Sequence, residues 1–142
     1  MNHDAYEDAY FVSILQEVKT IALVGASPKP ERPSFEVMEY LLAHGYRVLP
    51  VNPGQAGGKI LGQRVFASLS DIGEAVDMVD IFRNSAAAGE VAKAALRLAP
   101  PPAVVWMQIG VRNDEAAAEA EAAGVRVVMD HCPKQEHARL LA

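Results

Sequence analysis

A loop near the N-terminus combines the residue types that hold phosphate groups. The stretch IALVGASPKPERPS, residues 21–34, reads as a buried strand, a glycine turn and the start of a helix. Gly25 ends the apolar run, where a tight turn needs a residue without a side chain. The free N–H groups and positive dipole end of the next helix make an anion site. The sequence therefore predicts a phosphate-binding loop, with Ser34 as the N-cap of the helix.

The same loop departs from the fingerprint of dinucleotide-binding proteins. That fingerprint continues G-x-G-x-x-G, whereas Ser27 stands at the second glycine position here, and prolines follow at 28, 30 and 33. The prolines stiffen the loop and remove amide donors. Ser27 and Arg32 can supply side-chain donors in their place, and a charge-assisted hydrogen bond contributes roughly 1.5–3 kcal/mol.

The end of the second predicted strand gives an independent indication of the ligand. An NAD site usually has an Asp or Glu there to bind the ribose hydroxyls. This chain instead has Val51, Asn52 and Pro53, with Lys59 close in sequence and no acid. A neutral or positive pocket tolerates a phosphorylated ribose, and both NADP and coenzyme A (CoA) meet that condition.

The elements that must position these residues alternate along the chain. Apolar runs predict strands, and alanine-rich or amphipathic segments predict helices. The predicted strands are residues 20–25, 46–51, 63–66, 78–82, 103–107 and 125–129. The predicted helices are residues 6–18, 34–44, 84–98, 113–123 and 134–142, and residues 52–62 read as a loop. This order predicts an α/β protein with a three-layer, Rossmann-like, doubly wound sheet that is mainly parallel and has helices on both faces.

Ligands of such folds bind beyond the carboxyl ends of the strands. Five predicted loops meet at that edge, and they carry six of the thirteen lysines and arginines in the chain. These cations are Lys29, Arg32, Lys59, Arg83, Arg112 and Lys134. An acidic protein is therefore expected to keep a positive rim at one edge.

Composition sets limits on the function. The 142 residues are expected to form one domain, with the helix in residues 1–19 packed on it. A net charge of −5 argues against nonspecific nucleic-acid binding, and no apolar run approaches the roughly 20 residues of a membrane span. The N-terminus is acidic and polar, unlike a signal peptide. A single cysteine, Cys132, fits a reduced cytoplasm.

The sequence shows no arrangement of nucleophile, base and orienting group. Cys132 follows Asp130 and His131, but adjacent residues on an extended chain point in opposite directions, which favours a packed cysteine. Asp77 and Asp80, or Asp114 and Glu115, could be read as acid/base pairs. The second pair more simply favours a helix N-terminus. The four scattered histidines lack zinc-ligand spacing, and Trp106 and Met107 are expected in the core.

Five motifs in order carry a resemblance. IALVGASPKPERPSFEV, GYRVLPVNP, VDMVDIFRNS, VVWMQIGVRNDEAA and GVRVVMDHCPK together resemble the small CoA-binding protein family, from about residue 20 to the C-terminus. That family is similar to the N-terminal CoA-binding domains of the succinyl-CoA synthetase α subunit and of ADP-forming acyl-CoA synthetases. Those enzymes use a phosphorylated histidine and a nucleotide-grasp domain that have no counterpart here, and neither His131 nor His137 matches that histidine.

The resemblance implies coenzyme A as the ligand and a role for each matched residue. Phosphates would be held by Gly25, Ala26, Ser27, Arg32 and Ser34, with Lys29 in the same loop. The adenosine end would lie against Val51, Asn52 and Pro53, with Lys59 near its phosphate. Phe82, Arg83 and Asn84 would line the ligand, and Gln108, Ile109 and Gly110 would lie near the pantetheine or pyrophosphate.

Three functions stay open at this point. The first is a CoA or acyl-CoA binding protein without catalytic machinery of its own. The second is an NADP-dependent oxidoreductase, which the incomplete glycine fingerprint disfavours. The third is a CoA-binding subunit that serves a partner enzyme. The sequence leaves the acyl group and any homo-oligomer open.

Overall fold

Strands and helices alternate in the computed structural model, which describes residues 1–142. The strands are β1 (Thr20–Val24), β2 (Arg47–Val51), β3 (Lys59–Ile60), β4 (Gln63–Arg64), β5 (Met78–Ile81), β6 (Val104–Met107) and β7 (Arg126–Val128). The α-helices are α1 (Asp8–Glu17), α2 (Pro33–Ala43), α3 (Ser85–Leu96), α4 (Asp114–Ala122) and α5 (Pro133–Leu140). Two short 3-10 turns cover Pro53–Gln55 and Leu69–Asp71.

The central sheet has five parallel strands in the order β2-β1-β5-β6-β7. The chain starts in the middle and winds first to one edge and then to the other, so the Rossmann-like α/β prediction is confirmed. This order places the switch point between β1 and β5, whose carboxyl ends are where such folds bind ligands.

The segment predicted as a plain loop, residues 52–62, contains more structure than expected. Its first part is a 3-10 turn, and β3 pairs with β4 as a small antiparallel hairpin. β4 lies within the strand predicted at residues 63–66, whereas β3 is only two residues long, which is too short for a periodic pattern in the sequence. Ile60 anchors the hairpin because its side chain is buried in the core.

The two faces of the sheet are covered by different kinds of side chain. One face packs large residues of α1 and α2, such as Phe11, Ile14 and Leu41, against Trp106 of β6. The other face packs the alanines of α3 and α4 against the sheet. Trp106 and Met107 are fully buried, as the sequence predicts.

The N-terminal segment protects one edge of the sheet. The Tyr10 hydroxyl donates to the carbonyl oxygen of Val127 at 2.8 Å and accepts from its N–H at 3.1 Å. The Tyr6 hydroxyl accepts from the N–H of Met129 at 2.9 Å. Free strand edges invite pairing with other chains, so these tyrosines occupy groups on β7 and just after it that a further strand would use. None of the helices is long and apolar enough to cross a bilayer.

The start of α2 differs from the sequence prediction. Ser34 is not the N-cap: Arg32 holds that position and Pro33 is the first helical residue. No side chain bonds over this helix start. Proline is favoured at the first helical position because it has no N–H to satisfy and its φ already suits a helix. Ser34 is therefore the second residue of the helix, and its side chain is buried.

Candidate functional site

Three adjoining clefts lie where the carboxyl ends of the strands meet. The loop cleft has a volume of about 400 Å³ and is lined by residues 25–29 and 32–34, with Asn52, Gln55 and Phe82. The α3 cleft, about 480 Å³, lies between the ends of β1 and β2, α3 and residues 67–70. The α5 cleft, about 610 Å³, lies between the starts of α2 and α5 and the ends of β5 and β6. Phe82 is shared by the loop and α5 clefts, and Arg83 by the α3 and α5 clefts, so the three are continuous.

Gly25 allows the loop to approach the neighbouring strand end. Its φ is +90°, and a Cβ atom at this position would lie 2.3 Å from the carbonyl oxygen of Phe82. No other residue fits, since a side chain would meet backbone rather than a flexible group. The close approach of β1 and β5 at their ends therefore depends on this glycine.

Asn52 holds the loop from the end of β2. Its side-chain amide donates to the carbonyl oxygen of Ala26 at 2.7 Å, and its side-chain oxygen accepts from the N–H of Gly54 at 2.8 Å. Both ends of the Asn52 amide are thus engaged by the protein. This residue positions the loop cleft as well as lining it.

The loop cleft contains unused backbone donors. The N–H groups of Ser27 and Ser34 donate to no acceptor in the protein, whereas the N–H of Lys29 donates to the Ser27 hydroxyl at 3.2 Å. The Ser34 amide is at the uncapped start of α2, at the positive end of the helix dipole, and the Ser27 amide lies in the loop before it; free N–H groups of this kind favour an anion.

Most of the cations that the sequence places at this edge have no acidic partner. Of the six that the sequence places in the loops, only Arg112 forms ion pairs, with Asp4 at 2.6 Å and Asp114 at 2.7 Å. Lys29, Arg32, Lys59, Arg83 and Lys134 have none. Elsewhere Arg47, Arg126 and Arg139 are all paired with acids. Four of these unpaired cations, Lys29, Arg32, Arg83 and Lys134, line the clefts.

A buried acid lies under the α5 cleft. Asp80 of β5 is 0% exposed, and the amide group of Gln108 lies 2.9 Å from one of its carboxyl oxygens and 3.3 Å from the other. Burial raises the pKa of the Asp80 carboxyl well above its ordinary value. Gln108 is itself 7% exposed and belongs to the wall of the cleft.

Most of the residues singled out in the sequence line one of the clefts. The loop cleft is lined by Gly25, Ala26, Ser27, Lys29, Arg32, Ser34 and Asn52. The α3 cleft receives Val51, Pro53 and Arg83. The α5 cleft receives Phe82, Asn84, Gln108 and Ile109 as well as Arg83.

Two of the residues singled out in the sequence lie apart from the clefts. Lys59 is on β3, where it pairs with Arg64 across the hairpin, and it lines none of the three clefts. Gly110 donates its N–H to the Asp130 carboxylate at 2.6 Å and also lines none of them. Both lie close in sequence to residues that line the clefts. Their positions on the hairpin and beside Asp130 leave them outside the clefts.

Other cleft residues were not identified from the sequence. The α3 cleft is lined by Ser68, Ser70 and Arg97, and the α5 cleft by Cys132 and Gln135. Arg97 follows α3 instead of a strand, so the strand-end rule does not select it. Its position becomes apparent only when α3 is placed on the sheet.

The acids and the Cys–His pair considered for catalysis have structural contacts. Asp77 accepts from the N–H groups of Lys19 and Thr20 at 2.9 Å each, and Asp114 pairs with Arg112. The His131 ring contacts the carbonyl oxygen of Met129 at 2.9 Å, while Cys132 is buried at the start of α5. These contacts hold turns and strand ends together.

Comparison with known proteins identifies the family of this chain. A family model described as a CoA binding domain matches residues 19–138. The uncharacterized protein YneT of Bacillus subtilis is 38% identical over 125 residues, which cover 88% of this chain and 90% of YneT. A solved structure of a hypothetical protein from Pyrococcus horikoshii OT3 is 40% identical, with a TM-score of 0.90, and covers 100% of this chain and 97% of that one.

A more distant likeness involves a larger enzyme. The dinucleotide forming acetyl-coenzyme A synthetase 1 of Ca. Korarchaeum cryptofilum matches with a TM-score of 0.62 at 24% identity. The match covers 77% of this chain and 25% of the synthetase, and at this identity it shows the fold alone. The family match, in contrast, extends over most of the sequence. The chain belongs to the CoA binding domain family.

Proposed function

We propose that this protein binds coenzyme A or an acyl-CoA across the three clefts, without catalytic machinery of its own. The observation that carries the proposal is the loop cleft, with the free N–H groups of Ser27 and Ser34 and the unpaired cations Lys29 and Arg32. Its lining is polar, whereas the α3 and α5 clefts, which meet at Arg83, contain more apolar groups. CoA likewise combines a charged pyrophosphate with a less polar adenosine and pantetheine.

The order of the strand ends suggests how the ligand lies. In this proposal the pyrophosphate occupies the loop cleft at the end of β1, against Gly25, Ala26 and Ser27. The adenosine lies toward β2, between Val51 and Pro53, in the α3 cleft. The pantetheine lies toward β6, along residues 82–84 and 108–109, in the α5 cleft.

The 3′-phosphate needs a cation at the adenosine end. The resemblance suggests Lys59 for this role, but Lys59 lies on the hairpin outside the clefts. Arg97 lines the α3 cleft and has no acidic partner. We therefore assign Arg97 to the 3′-phosphate, with the Ser68 and Ser70 hydroxyls as further donors in the same cleft.

The test is a calorimetric titration of the purified protein with CoA, 3′-dephospho-CoA, NADP and NAD. Tight binding of CoA that weakens without the 3′-phosphate is the expected result. Binding of NADP alone would overturn the proposal in favour of an oxidoreductase. Binding of none of the four would contradict a CoA site that functions in the isolated chain and favour a site that a partner subunit completes.

Arg97→Ala examines the adenosine end separately. We expect it to remove the difference between CoA and 3′-dephospho-CoA, because only CoA has a charge for Arg97 to meet. The matched control is Lys59→Ala, which removes the same charge from the hairpin. If Lys59→Ala removed the difference and Arg97→Ala did not, the assignment of the 3′-phosphate would be wrong.

A further inference from the structure

The single cysteine of the chain lies at the end of the path proposed for CoA. Cys132 is the residue before α5, and it is 5% exposed in the wall of the α5 cleft. In the sheet order the proposed ligand runs from the end of β1 past β5 and β6, and α5 follows the next strand, β7. The thiol at the end of the pantetheine arm would therefore arrive at the start of α5, beside the Cys132 thiol.

An unused hydrogen-bond acceptor faces the same cleft. The Gln108 amide nitrogen donates to the two carboxyl oxygens of Asp80, at 2.9 and 3.3 Å. The amide oxygen on the other side of the group accepts no hydrogen bond from the protein. Gln108 is only 7% exposed, yet no side-chain oxygen or nitrogen that is inaccessible to solvent lacks a partner. The amide oxygen therefore reaches the α5 cleft, whose wall includes Gln108, and needs a donor from a ligand.

The pantetheine arm of CoA contains such donors in its amide N–H groups. A hydrogen bond from one of them to the Gln108 oxygen would hold the arm at the end of β6. Phe82 and Val37 line the same cleft and offer apolar contacts on its other sides. We propose that Cys132 captures CoA as a mixed disulfide and that Gln108 is the residue that positions the arm.

The step is a thiol–disulfide exchange with a disulfide of CoA, of which two CoA molecules joined through their sulfurs are the simplest. The Cys132 thiol loses its proton to solvent, and its sulfur attacks the CoA sulfur held in the α5 cleft. A new S–S bond forms as the original one breaks, and the second CoA leaves as a thiolate that takes up a proton. Cys132 is oxidised and the leaving sulfur is reduced, so the step needs no further oxidant.

The rest of the chain fits a reversible capture. The His131 ring contacts the carbonyl oxygen of Met129 at 2.9 Å and packs on Tyr6 and Phe11, with ring centroids 5.2 and 5.1 Å apart, so it belongs to that aromatic cluster. The chain has no second cysteine that could expel the captured CoA by forming an internal disulfide. Release therefore depends on an external thiol, which runs the same exchange in reverse.

The experiment treats the reduced protein with CoA disulfide and follows the adduct by intact-protein mass spectrometry. Hydroxyethyl disulfide is the reference reagent, because it is small and neutral and offers the clefts no phosphate or pantetheine. We expect Cys132 to react with CoA disulfide at least about tenfold faster, since binding holds the two sulfurs together. Equal rates, or a faster reaction with the small reagent, would overturn the proposal.

Arg32→Ala tests whether the rate comes from binding in the clefts. Arg32 lines the loop cleft and not the α5 cleft, so its loss should lower the ratio of the two rates by about tenfold. Lys19→Ala, at the opposite edge of the sheet, should keep the ratio of the parent protein. Acetyl-CoA has no free thiol and should block the reaction by occupying the clefts. If acetyl-CoA gave no protection, Cys132 would lie outside the CoA site and the proposal would be wrong.

Gln108→Met tests the positioning residue. It keeps the side-chain length but removes the acceptor, so the ratio of the two rates should fall by about three- to tenfold. A merely structural role of Gln108 would instead expose Cys132 and raise the rates of both reagents. An unchanged ratio would contradict the role of Gln108 in holding the arm.

This inference rests on the proposed CoA-binding function, and the two can fail separately. Calorimetric binding of reduced CoA by a protein that forms no adduct with CoA disulfide would overturn the capture alone. A protein that neither binds reduced CoA nor forms the adduct would overturn the proposed function and this inference together.

Discussion

Three helices begin at the same edge of the sheet, two of them with a side-chain cap and one without. At the β5–α3 turn the Asn84 side chain accepts from the N–H of Ala87 at 2.9 Å, and at the β6–α4 turn Asn113 accepts from Ala116 at 3.0 Å. The β1–α2 loop reaches Pro33 with no side chain bonded over the helix start. At the first two turns an asparagine side chain satisfies a backbone N–H of the helix. The β1–α2 loop instead leaves backbone N–H groups free to bind a ligand.

This difference shows which features make the β1–α2 loop a candidate anion site although it lacks a glycine-rich fingerprint. The prolines of the β1–α2 loop hold its shape, while the N–H groups of Ser27 and Ser34 stay free. α5 repeats the pattern, since it also begins with a proline, Pro133, and has no side-chain cap. The open helix starts, α2 and α5, both line the α5 cleft, where CoA would end.

The largest expected effect comes from disturbing the close contact between Gly25 of the β1–α2 loop and Phe82 of the β5–α3 turn. Gly25→Ala places a Cβ atom 2.3 Å from the carbonyl oxygen of Phe82. We expect it to abolish CoA binding and to lower the free energy of unfolding by about 2–5 kcal/mol, from the positive φ and the clash together. Urea unfolding and calorimetric titration measure the two effects.

Gly45→Ala is the matched control for this change. Gly45 has nearly the same φ, +91°, but nothing lies within 4 Å of its Cβ position. It should cost only about 1–2 kcal/mol, from backbone conformation alone. Equal losses in the two variants would mean that the approach of Gly25 to Phe82 does not matter.

The next largest effect is expected from a change in the uncapped β1–α2 loop. Arg32→Ala should weaken CoA binding by about 1.5–3 kcal/mol if its guanidinium meets a phosphate, with little change in thermal stability because Arg32 forms no ion pair. Calorimetric titration with CoA measures this. Lys19→Ala removes an equally unpaired charge from the opposite edge of the sheet and should leave the affinity unchanged. Similar losses for both would point to net charge instead of a phosphate contact.

The smallest effect is expected from a change at the β5–α3 turn, where Asn84 caps the helix. Asn84→Ala removes the cap of α3 and should lower the free energy of unfolding by about 1 kcal/mol. Asn84→Asp can keep the cap but adds a negative charge beside the α5 cleft, so it should retain stability and weaken CoA binding. Thermal unfolding and calorimetric titration separate the two.

Asn113 offers the control for the added charge. It caps α4 in the same way but lines none of the three clefts. Asn113→Asp should therefore leave CoA affinity unchanged. If it weakened binding as much as Asn84→Asp, the position of Asn84 in the cleft would have no bearing on the ligand.

The alternation of strands and helices could be predicted because it depends on local signals. Runs such as those of β1 and β6 are apolar on both faces, and the alanine-rich helices have high intrinsic propensity. β4 lies within the strand predicted at residues 63–66, but β3 and its pairing with β4 could not be predicted, because a two-residue strand has no period and Ile60 is buried only in the folded protein. Ser34 was misassigned as an N-cap because Pro33 suits the first helical position better.

The sequence by itself determined which loops meet at one edge, since parallel strands joined by right-handed crossovers place all their carboxyl ends together. It also determined that this edge carries positive charge and lacks an acid after β2. Only the tertiary structure decided which side chains meet there. Arg97 lines the α3 cleft from the end of α3, and Lys59 lies on the hairpin outside the clefts. Asp80 of β5 contacts Gln108 at the end of β6. These contacts join residues far apart in the chain, and local propensity carries no information about them.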